Sequence, residues 1–535
     1  MKDRSTTKGF AVLSAAGMIA KVLSLLYIPF LKGIITDEGY GVYGAAYSVY
    51  VFVFVITNAG IPVAISKLIS ELTAVKNYRD ALKGFKLSRF ILLIIGIFMT
   101  ILMIIFAKPL SKLVHYENAY LSILALAPAI LFTSVASAYR GYFQGWGNMV
   151  PTAVSQVIEQ FANAIFSIVF ASILIKYGVE AGCAGATIGT SLGAFFSSIY
   201  LMIYYERNKR IKVPKGYNEL QIKRHSTKEI VKKIAAYGIP ITIAVGMTYA
   251  GNLIDVANTK ARLMAGGLPD AYASTLYGYL VKYQQLINVP ISIITSLAVA
   301  ILPAIASAAA VNDKKQVKSN IMYAFRVCFL IAIPSAFGLS ILSKQIFYML
   351  KFGEGAFLMT YGSIVLVLMS VMQIQTTILQ SVGKLYTATI YSVIGIIFKI
   401  AANYYLIAIP SINISGAIYG SIIGYIIPIL LNGRMIKKTL NVKFKLFGGA
   451  IKPTISSVFM GGMVYSSFKI SFMLLKFLGS GYIRNAVATL ISIIIGMYSY
   501  IFALILTGGI TEEDLKIIPS KLRRFIPKFI INRIR

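Results

Sequence analysis

Residues 143–159 read FQGWGNMVPTAVSQVIE, and residues 379–395 read LQSVGKLYTATIYSVIG, a related pattern of glycine, small and apolar positions set down again at an offset of 236. Two further pairings keep the same order. AGIPVAIS at 59–66 resembles AILPAIAS at 300–307, an offset of 241, and Gly185, Ala186, Gly189 and Gly193 match Gly416, Ala417, Gly420 and Gly424, an offset of 231. Each match alone reflects spacing common to closely packed membrane helices. Three in one order at a nearly constant offset indicate a duplicated architecture, as in many transporters.

Outward from these strings, apolar stretches long enough to cross a hydrocarbon core of about 30 Å run near 9–31, 40–60, 90–107, 118–139, 150–175, 181–205, 234–259, 276–306, 320–343, 356–382, 386–409, 411–433, 453–475 and 485–507. The repeat offset spans six of them, an even number, so the halves share one orientation, related by an axis along the membrane normal. The expected fold is an all-α integral membrane protein with 14 transmembrane helices, two six-helix lobes in parallel repeat plus two extra C-terminal helices, around a central cationic cavity. Its parts are an N-lobe, 1–205; a basic interlobe linker, 206–233; a C-lobe, 234–433; a basic loop, 434–452; helices 13–14 within 453–507; and a basic tail, 508–535. Prolines 29, 128, 240, 290, 334 and 428 fall within spans, where they interrupt the helical hydrogen-bond ladder.

The chain carries +34 at pH 7 although 57% of it is hydrophobic. Of its 52 Lys and Arg, 37 fall in one alternating set of intervals between spans, including the turns at Arg140 and Lys384, and 10 in the other set. Basic residues are retained on the cytoplasmic side, which predicts a multi-pass membrane protein with both termini cytoplasmic. The same scatter excludes a nucleic-acid partner, because no soluble domain gathers the charge into one patch. Anionic lipids are an expected partner for the loop 206–233, with Arg207, Lys209, Arg210, Lys212 and Lys215. Cys183 and Cys328 sit in spans of different halves, and His115 and His225 lie far from any carboxylate cluster. Neither a disulfide framework nor a metal site is expected.

Charged side chains at mid-bilayer are costly and normally face a hydrated cavity or a partner. The candidate substrate-binding residues are Lys21, with Gly17 and Ser24 on its face; Asn252; Lys282 with Gln285; Lys399 with Asn403; and Arg140. The candidate ion-coupling or cavity acids are Asp255, in a stripe with Asn252 and Asn258, and Glu159, on a face with Gln156, Gln160 and Asn163. Through the offset, Asn163 and Ser167 correspond to Lys399 and Asn403. A pairing of Lys399 with Glu159 inside a packed bundle is the structural alternative. Bases outnumber acids within the spans, which favours an anionic substrate.

TDEGYGVYGAAYSVY at 36–50, NAGIPVAISKLISE at 58–71 and YRGYFQGWGNMVPTAVSQVIEQ at 139–160 resemble the stage V sporulation protein B branch of the polysaccharide transporter family. That branch is related to the MurJ-type lipid II flippases of the multidrug/oligosaccharidyl-lipid/polysaccharide superfamily. The resemblance implies no enzyme and no cofactor, but a flippase that carries an undecaprenyl-diphosphate-linked peptidoglycan precursor, lipid II-like, from inner to outer leaflet by alternating access. Coupling to the membrane potential, Na+ or H+ stays open, and cell-wall synthesis enzymes are candidate partners. Lys21 falls where those flippases carry a basic residue, and Tyr27 where they often carry a second one. Two alternatives stand beside this reading: a flippase for another polyprenyl-linked polysaccharide unit, and an ion-coupled multidrug exporter of the same superfamily.

Overall fold

The computed structural model describes residues 15–208, 224–311, 313–442, 446–479 and 481–509. Regular structure among them is helical throughout. The helices are α1 Ala15–Leu26, α2 Ile28–Asn58, α3 Ile61–Ala74, α4 Tyr78–Ile105, α5 Ala107–Leu113, α6 Tyr120–Gly145, α7 Val150–Leu174, α8 Val179–Arg207 and α9 Thr227–Ala265. They continue as α10 Asp270–Ala310, α11 Lys314–Ile341, α12 Ser343–Met349, α13 Ala356–Gly362, α14 Ile364–Ser381, α15 Leu385–Leu406, α16 Gly416–Leu440, α17 Ile451–Leu474 and α18 Gly481–Leu506.

Twelve stretches among the described residues are long and apolar enough to cross a membrane: α2 run on into α3, then α4, α6 to α9, α11 and α14 to α18. Of the other two expected spans, one falls on α10 and one includes α1, which at 12 residues is shorter than a span. At 41 residues, α10 is about 60 Å long, twice the hydrocarbon thickness. Within α2 the helix is broken at Thr36, whose φ of 66° and ψ of 178° are non-helical. Such a backbone costs a non-glycine residue about 1–3 kcal/mol, and it separates the short segment after Pro29 from a span-length helix over 37–58.

Several boundaries differ from expectation. The turn expected at Arg140 lies seven residues later, at Gly147 (φ +71°), because nothing in RGYFQG stops a helix. There the amide of Asn148 donates to the carbonyl of Phe143 at 2.9 Å, the six-to-one bond of a glycine-terminated helix. At the repeat-equivalent positions Gly383 has φ +74° and the amide of Lys384 donates to Leu379 at 2.8 Å. Between the second and third expected spans lies the amphipathic α3, with Ala64, Ile65, Leu68, Ile69 and Leu72 buried and Lys67 and Glu71 paired on its outer face at 3.9 Å. Lys209, Arg210, Lys212 and Lys215, the heart of the expected lipid-contact loop, lie outside the described residues. So does the acidic run Glu512, Glu513 and Asp514, the expected start of a short tail helix.

The chain divides into two compact units, one formed by 1–281 with 396–420 and the other by 282–395 with 421–535. This division cuts across the sequence repeats: α9 packs on the first repeat, with Ile230 and Ile234 in a core with Leu68, Phe85, Tyr142 and Tyr205. The second unit has its own core of Ile321, Phe325, Phe329, Ile374, Ile378 and Ile436. In the first unit a Cβ placed on Gly189 would lie 2.2 Å from the Ser167 hydroxyl, and one on Gly420 would lie 1.9 Å from Oδ1 of Asn403. Ser167 and Asn403 are repeat partners, so α7 against α8 and α15 against α16 share one register of close approach.

Candidate functional site

Arg140 lies more than a turn inside the end of α6, and its side chain is directed onto α7. Its Nη2 lies 2.6 Å from Oε2 of Glu159 and donates to the Ser197 hydroxyl of α8 at 2.9 Å, while Nε donates to the Ser155 hydroxyl at 3.1 Å. The two charged side chains are 15% and 22% exposed. In such surroundings an arginine–carboxylate contact is strengthened by charge, and breaking it by removing one partner is costly. Four residues further along α7, Asn163 accepts hydrogen bonds from Ser167 and Thr190 at 2.9 and 3.3 Å. The polar face of α7 therefore serves two neighbours, with Gln156 and Gln160 half-buried beside it.

A second buried cluster joins α9 to α15. Oδ2 of Asp255 is 2.7 Å from Nζ of Lys399, and Oδ1 accepts from Nδ2 of Asn403 at 2.5 Å. Lys399 and Asn403 are one turn apart on α15, so a single carboxylate bridges both. Asn258 donates to the carbonyl of Ile400 at 3.1 Å, and Arg262 to that of Tyr404 at 2.8 Å, continuing the seam. The expected alternative pairing of Lys399 with Glu159 is corrected: each acid has its own cation. Asn252 is exposed while Asp255 is buried, the two positions standing about 60° apart around a helix of 3.6 residues per turn.

Lys282 departs most from the expectation of a passage lining. It is 0% exposed, and its ammonium donates to the carbonyls of Phe352 at 2.6 Å and Glu354 at 3.1 Å, tying α10 to the turn before α13. Tyr283 does the same to Gly362 at 2.8 Å, and Gln285 is half-buried. Lys21 is exposed on α1, with the Ser24 hydroxyl donating to its backbone carbonyl at 2.8 Å. No acidic side chain among the described residues lies within ion-pair reach of it.

Two features lay outside the sequence reading. The first is a ladder of rings on the 37–58 segment of α2: Tyr40 to Tyr43 at 5.7 Å between centroids, Tyr43 to Tyr47 at 6.0 Å, Tyr47 to Tyr50 at 5.6 Å and Tyr50 to Phe54 at 6.1 Å. Tyr27 joins it, its hydroxyl 3.0 Å from that of Tyr43. The spacing of three and four residues was present in the sequence as one helical face. The second is Lys260, 2% exposed, whose Nζ lies 2.8 Å from Asp270 and 4.1 Å from the centre of the Tyr116 ring. Cys183 and Cys328 are buried free thiols, and no group of three potential metal ligands occurs among the described residues.

Residues 6–309 match the family described as polysaccharide biosynthesis protein. Along most of its length the chain is similar to stage V sporulation protein B of Bacillus subtilis (strain 168), 27% identical with 88% of this chain and 90% of that protein covered. The lipid II flippase MurJ of the same organism is 24% identical, covering 92% and 94%. Among solved structures, a MATE-family multidrug resistance transporter of the MOP superfamily in its inward-facing conformation aligns with a TM-score of 0.63 at 16% identity, over 79% of this chain and 98% of that one. The outward-facing conformation gives 0.60 at 17%, over 82% and 96%. These likenesses show the fold: a multi-pass membrane protein of the MOP type.

Proposed function

The chain belongs to the polysaccharide biosynthesis protein family, and from that premise we propose that it is a flippase moving an undecaprenyl-diphosphate-linked peptidoglycan precursor, lipid II-like, from the inner to the outer leaflet. The observation that carries this reading is the likeness to the lipid II flippase over 94% of that protein's length. In the proposal, α1 and α10 complete a fourteen-span bundle with cytoplasmic termini in a bacterial plasma membrane, and its lobes rock in alternating access.

The geometry supports the chemistry that such a substrate needs. A diphosphate crossing a low-dielectric region needs cations. Lys21 is an exposed cation on the first helix, positioned to receive the head group. Arg140 and Lys399 are held by Glu159 and Asp255, so in this mechanism the phosphates displace carboxylates from cations that are already placed. Guanidinium suits this exchange because it binds carboxylate and phosphate with the same forked geometry. Tyr47, the half-buried tyrosine of the ladder, offers a ring face and a hydroxyl to the sugars, while the lipid tail stays in the bilayer. Coupling enters through Asp255 or Glu159, which can take up a proton or cation once its partner is drawn away.

The test is the surface accessibility of lipid II on intact cells whose own flippase is shut off, with and without this protein in the membrane. Restored accessibility is expected, and Lys21→Ala at equal expression should abolish it. No restoration by well-expressed protein would redirect the assignment to another polyprenyl-linked glycan or to drug export, the activity named for its structural neighbours.

A further inference from the structure

The second unit contains a cavity of about 560 Å³ between the first half of α11, the turn leading into α17 and the chain just beyond α18. Arg326 of α11 and Lys452, the second residue of α17, supply its two cations; Tyr323, Leu330, Leu446 and Ile451 are among its apolar walls. Lys452 reaches across the opening and donates to the carbonyl of Gly508 at 2.7 Å. Gly449 lets the turn close down on α11, since a Cβ there would stand 3.3 Å from the Cα of Arg326. The cavity lies on the side of the helices to which Lys314, Lys315 and Lys318 at the start of α11, and Arg434, Lys437 and Lys438 at the end of α16, also belong. By the distribution of charge this is the cytoplasmic membrane surface.

We propose that this cavity binds the phosphate head group of an anionic phospholipid drawn from the cytoplasmic leaflet. Two cations in the lining of an apolar-walled cleft match an amphiphile with a charged head and a hydrocarbon body, and basic pockets between helices on this face are suited to anionic head groups. A soluble phosphate would leave the apolar walls unused. The sequence after residue 514 is basic and so does not match the charge of this lining. The lining shares no residue with the two buried ion pairs.

Purified full-length protein in a neutral detergent is titrated with dioleoylphosphatidylglycerol, with dioleoylphosphatidylcholine and with inorganic phosphate, reading thermal stability and, by native mass spectrometry, the number of retained lipids. Phosphatidylglycerol alone should raise the Tm and remain bound. Arg326→Gln with Lys452→Gln should weaken that binding about 30-fold, and Leu446→Asp, which puts an anion into the apolar wall while keeping both cations, should also weaken it. Lys437→Gln with Lys438→Gln, outside the lining, should retain it; should the first double variant lack a cooperative transition, the Leu446→Asp result decides. Equal effects of the two lipids, an equal effect of inorganic phosphate, or full binding by the lining variants would overturn the proposal. So would phosphatidylglycerol binding that emerges only after Glu512→Gln, Glu513→Gln and Asp514→Asn are introduced together, which would identify the chain's own acids as the occupant.

Discussion

Asp255 is a carboxylate with two partners on one neighbouring helix, and this makes its environment unforgiving. Removing the Lys399 ammonium leaves a charge that is 10% exposed with only the Asn403 amide to solvate it. Lys399→Ala should therefore destabilise the purified protein by about 3–5 kcal/mol. Removing both charges with Lys399→Met and Asp255→Leu should recover most of that loss. Thermal unfolding of the three forms in one detergent checks it, and a double variant no more stable than Lys399→Ala would show that the pair is not the coupled unit described here. The individual residues were legible in the sequence, since each is a charge inside an apolar run. Their partners were not: which acid meets which base depends on the rotation of α9 and α15 about their own axes, and helix rotation is set by packing that no single span encodes. Lys282 shows the limit of the same logic, because a lysine in a span is as well satisfied by two carbonyls as by an anion.

At the scale of helices, contacts are set by glycines that let backbones meet. A Cβ on Gly41 would fall 2.1 Å from the carbonyl oxygen of Ser274, and one on Gly278 would fall 2.5 Å from that of Asp37, so α2 and α10 approach backbone to backbone over these turns. Gly41→Ala must push them apart. The variant should insert and express normally yet lose most transport in the accessibility assay, whereas Gly462→Ala, where a Cβ meets nothing within 4 Å, should be silent. Equal activity of the two variants would mean that the close approach has no part in function. Element identity was legible from hydropathy, and the repeat string contains both glycine-ended turns, at Gly147 and Gly383, although charge alone placed the first of them at Arg140. The break at Thr36 was not legible, because threonine carries no signal for positive φ. Nor was the ring ladder on α2, because a tyrosine stripe reads equally as core or as interface.

Over the whole molecule, the two buried ion pairs differ greatly in how far apart their partners stand along the chain. Arg140 and Glu159 are 19 residues apart, but Asp255 waits for Lys399 and, 148 positions on, for Asn403. A ribosome adding about 5–20 residues per second therefore exposes the nascent protein, for roughly 7–30 s, to a membrane in which α9 already carries an acid and its counter-charge has not been made. Biogenesis must tolerate that interval through protonation, a hydrated neighbour or delayed burial of α9. Chains truncated at residue 395 should accordingly be cleared from cells much faster than chains truncated at 440, and Asp255→Asn should lengthen the lifetime of the shorter fragment, as pulse-chase labelling would reveal. The order in which a ribosome delivers charges thus becomes part of what this architecture has to solve, alongside what it carries across the bilayer.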